Sequence, residues 1–523
     1  MIVRHLLTSL AVLGLSVSPA AAQDEAAPVA ATQYGDVRGL MDDGVAVFRG
    51  IRYGADTSDR RFQPALPPMP WADVKDATSW GDAIPQPQLT TALFSDWAPV
   101  PDEGTSEDVL FLNVWTPAVD DESRPVMVWF HGGGFTSGSG AARVYDGVNL
   151  AQRGDVVLVT VNHRLNAFGY LDLDGMGDAY ADSANVGSLD MVMALEWVRD
   201  NIAGFGGDPE TVTIFGESGG GGKVFNLMAI PAAEGLFDRA IVQSGSQFNT
   251  KTQEEVAAAR DRLMAELGVE DVAGLEAASA EGIIAAIEAL EERGEGMAFG
   301  YSYDSRNVVR EPGAADVPSP TVPLLMGTTK DEMRLFLAAD PSVFTIGFGD
   351  LPARLAPFMG SSEAAALTAA YRMLMPEASA FEILAAIASD LTFRRGAVLA
   401  AKRRAAEEGA APVWLYQLDW GSPVMGGALG AMHALDLAFM FDNTEYSQSI
   451  AGDPAANQPI ADQMSEAWIA FARTGNPNTD RLPDWPAFTA ETRQVMHFDT
   501  DPQVHAGYFA AQEQIYRTAP EPR

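Results

Sequence analysis

A glycine-rich turn in the sequence holds one serine between glycines on both sides. The stretch TVTIFGESGGGGKVFNL begins at Thr211, and its first five residues are typical of a short buried strand. The apolar residues after Lys223 indicate that a helix follows the turn. A strand, a glycine turn and a helix in this order can cradle a phosphate, or they can present a nucleophilic side chain.

The phosphate-binding interpretation fails on spacing. A P-loop requires a glycine where Glu217 stands and a hydroxyl where Val224 stands, and a dinucleotide fingerprint requires a glycine in place of Ser218. The residues instead match G-x-S-x-G, a nucleophile elbow, whose glycines permit the strained backbone that exposes a reactive serine. The sequence therefore predicts that Ser218 is a nucleophile.

A serine nucleophile needs a general base, and the sequence offers few histidines for that role. Of the six histidines, three follow Ser218, namely His433, His497 and His505. In α/β-hydrolases the chain order is serine, acid, histidine, so the base is expected among these three. His433, in the glycine-bearing loop GALGAMHALDLAFMF, is favoured by position, although position alone leaves the other two open.

An acid and an oxyanion hole complete such a site. The stretch TVPLLMGTTKDEMRLF predicts a strand and a turn that carries Asp331 and Glu332, and periodicity does not choose between these two acids. The stretch VMVWFHGGGFTSGSG predicts a strand that runs into the glycine loop 131–134. Backbone N–H groups of such a loop stabilise the oxyanion that serine attack creates. These motifs together predict an ester-cleaving serine hydrolase.

The elements around these motifs alternate between strand-like and helix-like patterns, as in an α/β protein with a central, mostly parallel sheet flanked by helices. Residues 126–130 and 156–162 are predicted strands, and residues 189–202 have helical spacing. Two long stretches rich in alanine and glutamate, residues 252–293 and 361–409, are predicted to be helical. They are candidates for a cap over the site, or they pack without such a role.

The first 22 residues are typical of a secretory signal peptide. Arg4 precedes an apolar run over residues 6–17, and a small-residue cleavage site ends at Ala22. Residues 23–32 are predicted to be a flexible tail, and residues 33–523 a single domain. The apolar run is too short to span a membrane, and the chain has no cysteine. The sequence therefore predicts an exported protein, secreted or periplasmic, without a stable membrane anchor after cleavage.

The composition is strongly acidic, with a formal net charge of −37. Such a surface repels nucleic acid and anionic membranes, and it keeps an exported protein in solution. The expected partner is a small-molecule ester, with the protein acting as a monomer or a homodimer. No metal or organic cofactor is expected.

Many segments along the chain resemble the type-B carboxylesterases, the family of cholinesterases and bacterial para-nitrobenzyl esterases. They are GDVRG, FRGIRYG, RRFQP, SEDVLFLNVWTP, HGGGF, VTVNHRLNAFGYL, NVGSLDMVMALEWVRDNIAGFGGDPETVTIFGES, AIVQSGS, PLLMGTTKDE and WIAFARTGNPN. The resemblance implies an α/β-hydrolase fold and a triad of Ser218, Glu332 and His433. It places the oxyanion donors on the residues Gly133, Gly134 and Gly219.

The same resemblance implies supporting roles for other residues. Glu217 corresponds to a buried carboxylate beside the nucleophile, and Ser244 to a serine that hydrogen-bonds the catalytic acid. The family's bracing ion pairs fall on Arg61 with Glu107 and on Arg164 with Asp190.

The sequence departs from the family at the residue after the nucleophile, where Gly219 replaces the usual alanine. It also carries Val109 where many relatives have a disulfide cysteine, so the loop over residues 85–106 is expected to be freer. Two other functions stay open at this point. One is cleavage of amides or carbamates, or acyl transfer, on the same fold, and the other is a non-catalytic binding protein.

Overall fold

The computed structural model of the protein describes residues 27–87, 103–246, 250–296, 299–304, 306–312 and 320–517. The predicted signal peptide, residues 23–26 of the predicted tail and most of the loop 85–106 lie outside these ranges.

The strands form one large sheet and one small one. An eleven-stranded sheet has the order β14-β13-β12-β11-β10-β9-β7-β8-β6-β4-β3, and β1, β2 and β5 form a separate three-stranded sheet among the described residues. The strands are β1 (Val29–Ala30), β2 (Val37–Arg38), β3 (Leu40–Asp42), β4 (Val45–Arg52), β5 (Lys75–Asp76), β6 (Phe111–Thr116), β7 (Arg124–Phe130), β8 (Val157–Val161), β9 (Gly207–Glu217), β10 (Arg239–Gln243), β11 (Leu324–Thr329), β12 (Val413–Leu418), β13 (Val495–Phe498) and β14 (Gln503–His505).

The middle of the large sheet is parallel and buried on both faces. Strands β7 to β13 pair in parallel, whereas the edge pairs, such as β3 with β4 and β13 with β14, are antiparallel. Every residue of β7 and β8 is buried, which explains their continuous apolar runs. Side chains alternate between two cores, so Ile214 packs on one face of the sheet and its neighbour Phe215 on the other.

Helices cover both faces of the sheet. In chain order they are α1 (Val148–Gly154), α2 (Asn166–Tyr170), α3 (Val186–Asn201), α4 (Gly219–Leu227), α5 (Gln253–Leu267), α6 (Val272–Ala277), α7 (Ala280–Glu292), α8 (Met333–Leu337), α9 (Leu351–Met359), α10 (Ser361–Leu374), α11 (Ala380–Ser389), α12 (Arg395–Ala405), α13 (Leu437–Met440), α14 (Gln448–Ala451), α15 (Pro454–Thr474) and α16 (Ala510–Tyr516). A π-helical turn, Asp390–Arg394, joins α11 to α12.

The two alanine-rich stretches are helical, as predicted, but each is divided. The first forms α5, α6 and α7, and a capping box at Thr252 and a left-handed Gly268 mark the ends of α5. The second forms α10, α11 and α12 with the π-helical turn between the last two. Within the described ranges, none of the helices has both the length and the apolar composition that a membrane span requires.

The predicted flexible tail is wrong over its second half. Val29 and Ala30 pair antiparallel with β2, and Ala30 is completely buried. A two-residue strand is too short to produce a readable alternation, so the small residues around it appeared to be a tail.

Candidate active site

Ser218 lies at a sharp turn between β9 and α4. Its backbone has φ 57° and ψ −124°, a conformation that costs energy in any residue other than glycine. The flanking glycines make the turn possible, because a Cβ on Gly220 would lie 2.0 Å from the Phe130 carbonyl oxygen and one on Gly216 would lie 2.4 Å from the Gly220 carbonyl carbon. The N–H of Ser218 donates to the Gln243 carbonyl at 2.9 Å, and this hydrogen bond stabilises the strained backbone.

The glycine loop after β7 lies directly against this turn. Gly133 and Gly134 have φ of +87° and +66°, values that favour glycine. A Cβ on Gly219 would lie 2.2 Å from the Gly134 carbonyl oxygen, so the first residue of α4 touches the loop backbone. The structure thus brings together all three residues expected to donate to an oxyanion.

Glu332 is the member of the acidic pair that faces the histidine. It is completely buried, and its Oε2 lies 2.6 Å from Nδ1 of His433. Its other oxygen accepts hydrogen bonds from the Ser244 hydroxyl at 2.6 Å and from the Thr329 N–H at 2.8 Å. These donors, one of which is Ser244, hold the carboxylate in one orientation.

Asp331 points away from the histidine and binds locally. Its carboxylate accepts from the Ala431 N–H at 3.0 Å and forms an ion pair with Arg334 at 3.0 Å. It therefore ties the α8 turn to the loop that precedes His433.

Of the three candidate histidines, His433 lines the same cavity as Ser218. The other two candidates lie elsewhere. His497 on β13 contacts Asp419 at 2.9 Å, and its ring lies 4.5 Å from that of His505, at the end of the sheet where β13 meets β14. His497 and His505 therefore lie outside the cavity that Ser218 lines.

Glu217 places a second carboxyl beside the imidazole. Its Oε1 lies 3.3 Å from Nε2 of His433, and the residue is 2% exposed. Burial acts to lower the pKa of His433, but the negative charges of Glu217 and Glu332 outweigh it and raise that pKa to about 9. Burial also raises the pKa of Glu217.

The cavity in front of Ser218 measures about 300 Å³. Its walls combine the glycine loop with apolar side chains, among them Tyr145, Leu335, Phe336 and Leu437. Phe336 is 47% exposed, and its ring lies 5.0 Å from that of His433. A cavity of this size and lining suits a small molecule that carries apolar groups.

Three residues near the site were not predicted. Phe393, in the π-helical turn, packs its ring 4.8 Å from that of His433, so the second alanine-rich stretch does reach the site. Asp436 is completely buried and accepts from Tyr416 at 2.7 Å and Gln243 at 2.9 Å. Lys223, considered only as part of a P-loop, is buried and donates to the carbonyl of His131, the first residue of the glycine loop. Of these, only Asp436 had a sequence signal, since it follows His433 by three residues.

The two bracing ion pairs are present. Arg61 binds both carboxylate oxygens of Glu107, and Arg164 binds both oxygens of Asp190 at 2.7 and 2.6 Å. The second pair is buried near the N-terminus of α3, so it fixes the position of the loop after β8. In the described ranges, no group of three or more histidine, aspartate or glutamate side chains is arranged to hold a metal ion.

Comparison with known proteins identifies the family of this chain. The family model described as the carboxylesterase family matches residues 26–516. The chain belongs to the carboxylesterase family. A para-nitrobenzyl esterase of Bacillus subtilis (strain 168) is 37% identical over 484 residues, which cover 90% of this chain and 95% of the relative. A phenmedipham hydrolase of Pseudarthrobacter oxydans is 36% identical over 90% of this chain and 94% of its own.

Solved structures give the same result for the fold. The carboxylesterase EST55 of Geobacillus stearothermophilus matches with a TM-score of 0.82 at 37% identity, covering 94% of this chain and 100% of that one. The predicted α/β-hydrolase fold, with its large and mostly parallel sheet, is confirmed. This carboxylesterase is a carboxylic ester hydrolase that acts on small-molecule esters, as the sequence predicted.

Proposed function

We propose that this carboxylesterase cleaves esters through a triad of Ser218, Glu332 and His433. The observation that carries the proposal is the 2.6 Å contact between Glu332 and Nδ1 of His433. Because Glu332 occupies Nδ1, the other ring nitrogen, Nε2, is the one left to act as a base toward Ser218, which lines the same cavity as His433. The proposed triad therefore runs from the acid Glu332 through the base His433 to the nucleophile Ser218.

In the first step the serine is acylated. His433 Nε2 takes the proton of the Ser218 hydroxyl as Oγ attacks the ester carbonyl, and the negative charge of Glu332 stabilises the imidazolium. The N–H groups of Gly133, Gly134 and Gly219 bind the oxyanion of the tetrahedral intermediate. The bond to the alcohol oxygen then breaks, and the alcohol leaves with the proton from His433.

In the second step water regenerates the enzyme. Nε2 of His433 removes a proton from water as the hydroxide forms a bond to the acyl carbon, and the same donors bind the second oxyanion. The bond to Ser218 Oγ breaks, the serine recovers its proton from His433, and the carboxylic acid is released. These chain residues carry every proton transfer in the cycle.

The preferred substrate is an uncharged ester with an apolar or aromatic alcohol. Phe336 presents its ring beside His433, where the departing alcohol receives its proton, and Leu335 and Leu437 extend the apolar wall. One relative is a para-nitrobenzyl esterase, and the benzyl group in that name is aromatic, which supports this choice.

We also propose that the mature enzyme is exported, secreted or periplasmic, after cleavage behind Ala22. The proposal rests on the charged residue, apolar run and small residues of the first 22 positions. N-terminal sequencing of the protein from culture medium and periplasm tests it, and a mature chain that still begins before Gln23 contradicts it.

A fluorophosphonate probe tests the proposed nucleophile. It is expected to label the wild-type enzyme once per chain, at Ser218, with loss of all esterase activity. Ser218→Ala is expected to abolish labelling and to lower turnover by roughly four to six decades while the protein stays folded. Matched ester and amide substrates measured side by side separate esterase from amidase activity. An unlabelled but active enzyme, or an active Ser218→Ala variant, contradicts the assignment.

A further inference from the structure

The amine of Lys223 is buried under the loop that is proposed to hold the oxyanion. Lys223 lies on α4, five residues after Ser218, and is completely buried. Its Nζ donates to the His131 carbonyl oxygen at 2.9 Å. Glycines in the first turn of α4 permit this approach, because a Cβ on Gly220 would lie 2.9 Å from that same carbonyl oxygen.

The carbonyl groups of the loop decide where its N–H groups point. In a trans peptide the C=O of one residue and the N–H of the next point in opposite directions. The His131 carbonyl accepts from Lys223, the Gly132 carbonyl lies 2.9 Å from Nδ1 of the His131 ring, and the Gly133 carbonyl accepts from the Ser137 N–H at 3.1 Å. The carbonyl groups of three consecutive peptides are therefore hydrogen-bonded on one side of the loop. The N–H groups of Gly133 and Gly134 face the opposite side.

The histidine ring in this series is itself held from two sides. His131 stacks on His163, with ring centroids 5.0 Å apart and planes inclined by 12°. Burial and the neighbouring Lys223 lower the pKa of His131, so the ring is neutral and its Nδ1–H donates to the Gly132 carbonyl. Lys223 thus holds the His131 carbonyl. The His131 ring in turn holds the carbonyl of the next peptide, that of Gly132.

We propose that Lys223 is a positioning residue of the oxyanion hole. It holds the His131 carbonyl and thereby the backbone of the residue whose ring holds the Gly132 carbonyl, in the peptide that carries the Gly133 N–H, and it does not itself touch the substrate. This inference rests on the proposed function, because it assigns a partner to the donors of the proposed oxyanion hole.

A buried lysine at this position lowers the stability of the fold. A replacement that lowers activity without lowering stability therefore indicates a functional role and not a structural one. Burial lowers the pKa of Lys223 well below its usual value, so the folded chain holds the ammonium proton less tightly than the unfolded chain does. Stability from this group therefore falls as the pH falls below the unfolded pKa of about 10.4. Replacement by an apolar side chain of similar length removes this penalty and is expected to leave the unfolding temperature unchanged or higher.

The test measures kcat, KM and the affinity for a trifluoromethyl ketone, whose adduct with serine carries an oxyanion. Lys223→Met is expected to lower kcat roughly 10- to 100-fold, less than the loss of a direct donor, with a much smaller change in KM. Affinity for the ketone should fall by a factor similar to that of kcat. Lys223→Gln, which keeps an N–H donor on a shorter side chain, is expected to lie between Lys223→Met and the wild type.

Asn226→Leu is the matched control. Asn226 is equally buried on α4, but its side chain donates to Ser188 at 3.1 Å, away from the loop. This variant is expected to lower the unfolding temperature and to keep kcat and ketone affinity. Lys223 variants with kcat within twofold of the wild type, or a loss that appears in KM alone, overturn the proposal. If Ser218→Ala is inactive in the same assay, such a result rejects only the role of Lys223, whereas an active Ser218→Ala variant rejects the proposed function itself.

Discussion

Glu217 Oε1 lies 3.3 Å from Nε2 of His433, on the side of the imidazole opposite to Glu332. The proposed base is thus held between two carboxyl groups. The two groups titrate together, because a proton on Glu217 removes a charge that stabilises the imidazolium, and an imidazolium favours ionised Glu217. The charge of Glu217 consequently controls the pH at which His433 becomes a neutral base.

Activity is expected to fall on acidification with a midpoint above the ordinary histidine value of about 6.5. The imidazole must be neutral to accept a proton from Ser218, and the neighbouring carboxylates raise the pKa of His433 to about 9. A raised pKa means that the neutral base is lost at a higher pH. Glu217→Gln removes one of the two charges and should move the acid limb of kcat/KM to lower pH. The pH profiles of both proteins measure this shift, and superimposable profiles would mean that Glu217 is already uncharged when His433 titrates.

The elements that hold Ser218 were accessible from the sequence because their signals are local. The strand predicted from residue 211 is β9, extended at both ends to Gly207–Glu217, and the predicted helix 189–202 is α3. Continuous β-branched runs mark strands buried on both faces, and the glycines around Ser218 mark a turn that other residues cannot adopt. The joint use of the glycine loop and the elbow as oxyanion donors, by contrast, was implied by the resemblance to a family.

The surroundings of His433 were not accessible in the same way. Phe393 precedes it by 40 residues and reaches it through the π-helical turn, whose extra residue per turn leaves no mark in an apolar spacing. The bond from Lys223 to His131 spans 92 residues, and a lysine within a helix ordinarily indicates an exposed face. Choosing Glu332 over Asp331 required the resemblance to a family, since both lie in the same turn.

The two acids of that turn are expected to behave differently on neutralisation. Glu332→Gln keeps the shape of the side chain but removes the charge that stabilises the imidazolium, and should lower turnover by roughly three to four decades. Asp331→Asn should keep most of the turnover and lower the free energy of unfolding by about 1–2 kcal/mol, because it weakens the contacts with Arg334 and the Ala431 N–H. Turnover measured beside thermal unfolding separates the two effects. A folded, inactive Asp331→Asn protein together with an active Glu332→Gln protein would reverse the assignment.

The acidic surface is expected to bias the choice of substrate. With a formal net charge of −37, the protein should favour cationic and neutral esters over anionic esters of the same shape. Added salt screens this preference, since the Debye length falls from about 30 Å at 0.01 M to about 3 Å at 1 M. Values of kcat/KM for a matched series at several salt concentrations measure the bias. A preference that does not change with salt would instead place its origin in contacts within the cavity.

The last prediction concerns Gly219, where the related esterases usually carry alanine. A Cβ at this position would lie 2.2 Å from the carbonyl oxygen and 2.4 Å from the Cα of Gly134, so Gly219→Ala must displace the loop backbone. We expect kcat to fall about tenfold or more, because both residues are proposed oxyanion donors and a direct donor contributes 10²–10³ in rate. Gly222→Ala is the control, since its Cβ would meet its nearest neighbours at 3.6 Å, an ordinary contact distance. Each variant gains helix propensity worth about 1 kcal/mol, so a loss of kcat in Gly219→Ala alone reports the clash with Gly134. Equal kcat in the two variants would show that the loop moves away freely, which would also weaken the case that Lys223 holds it in place.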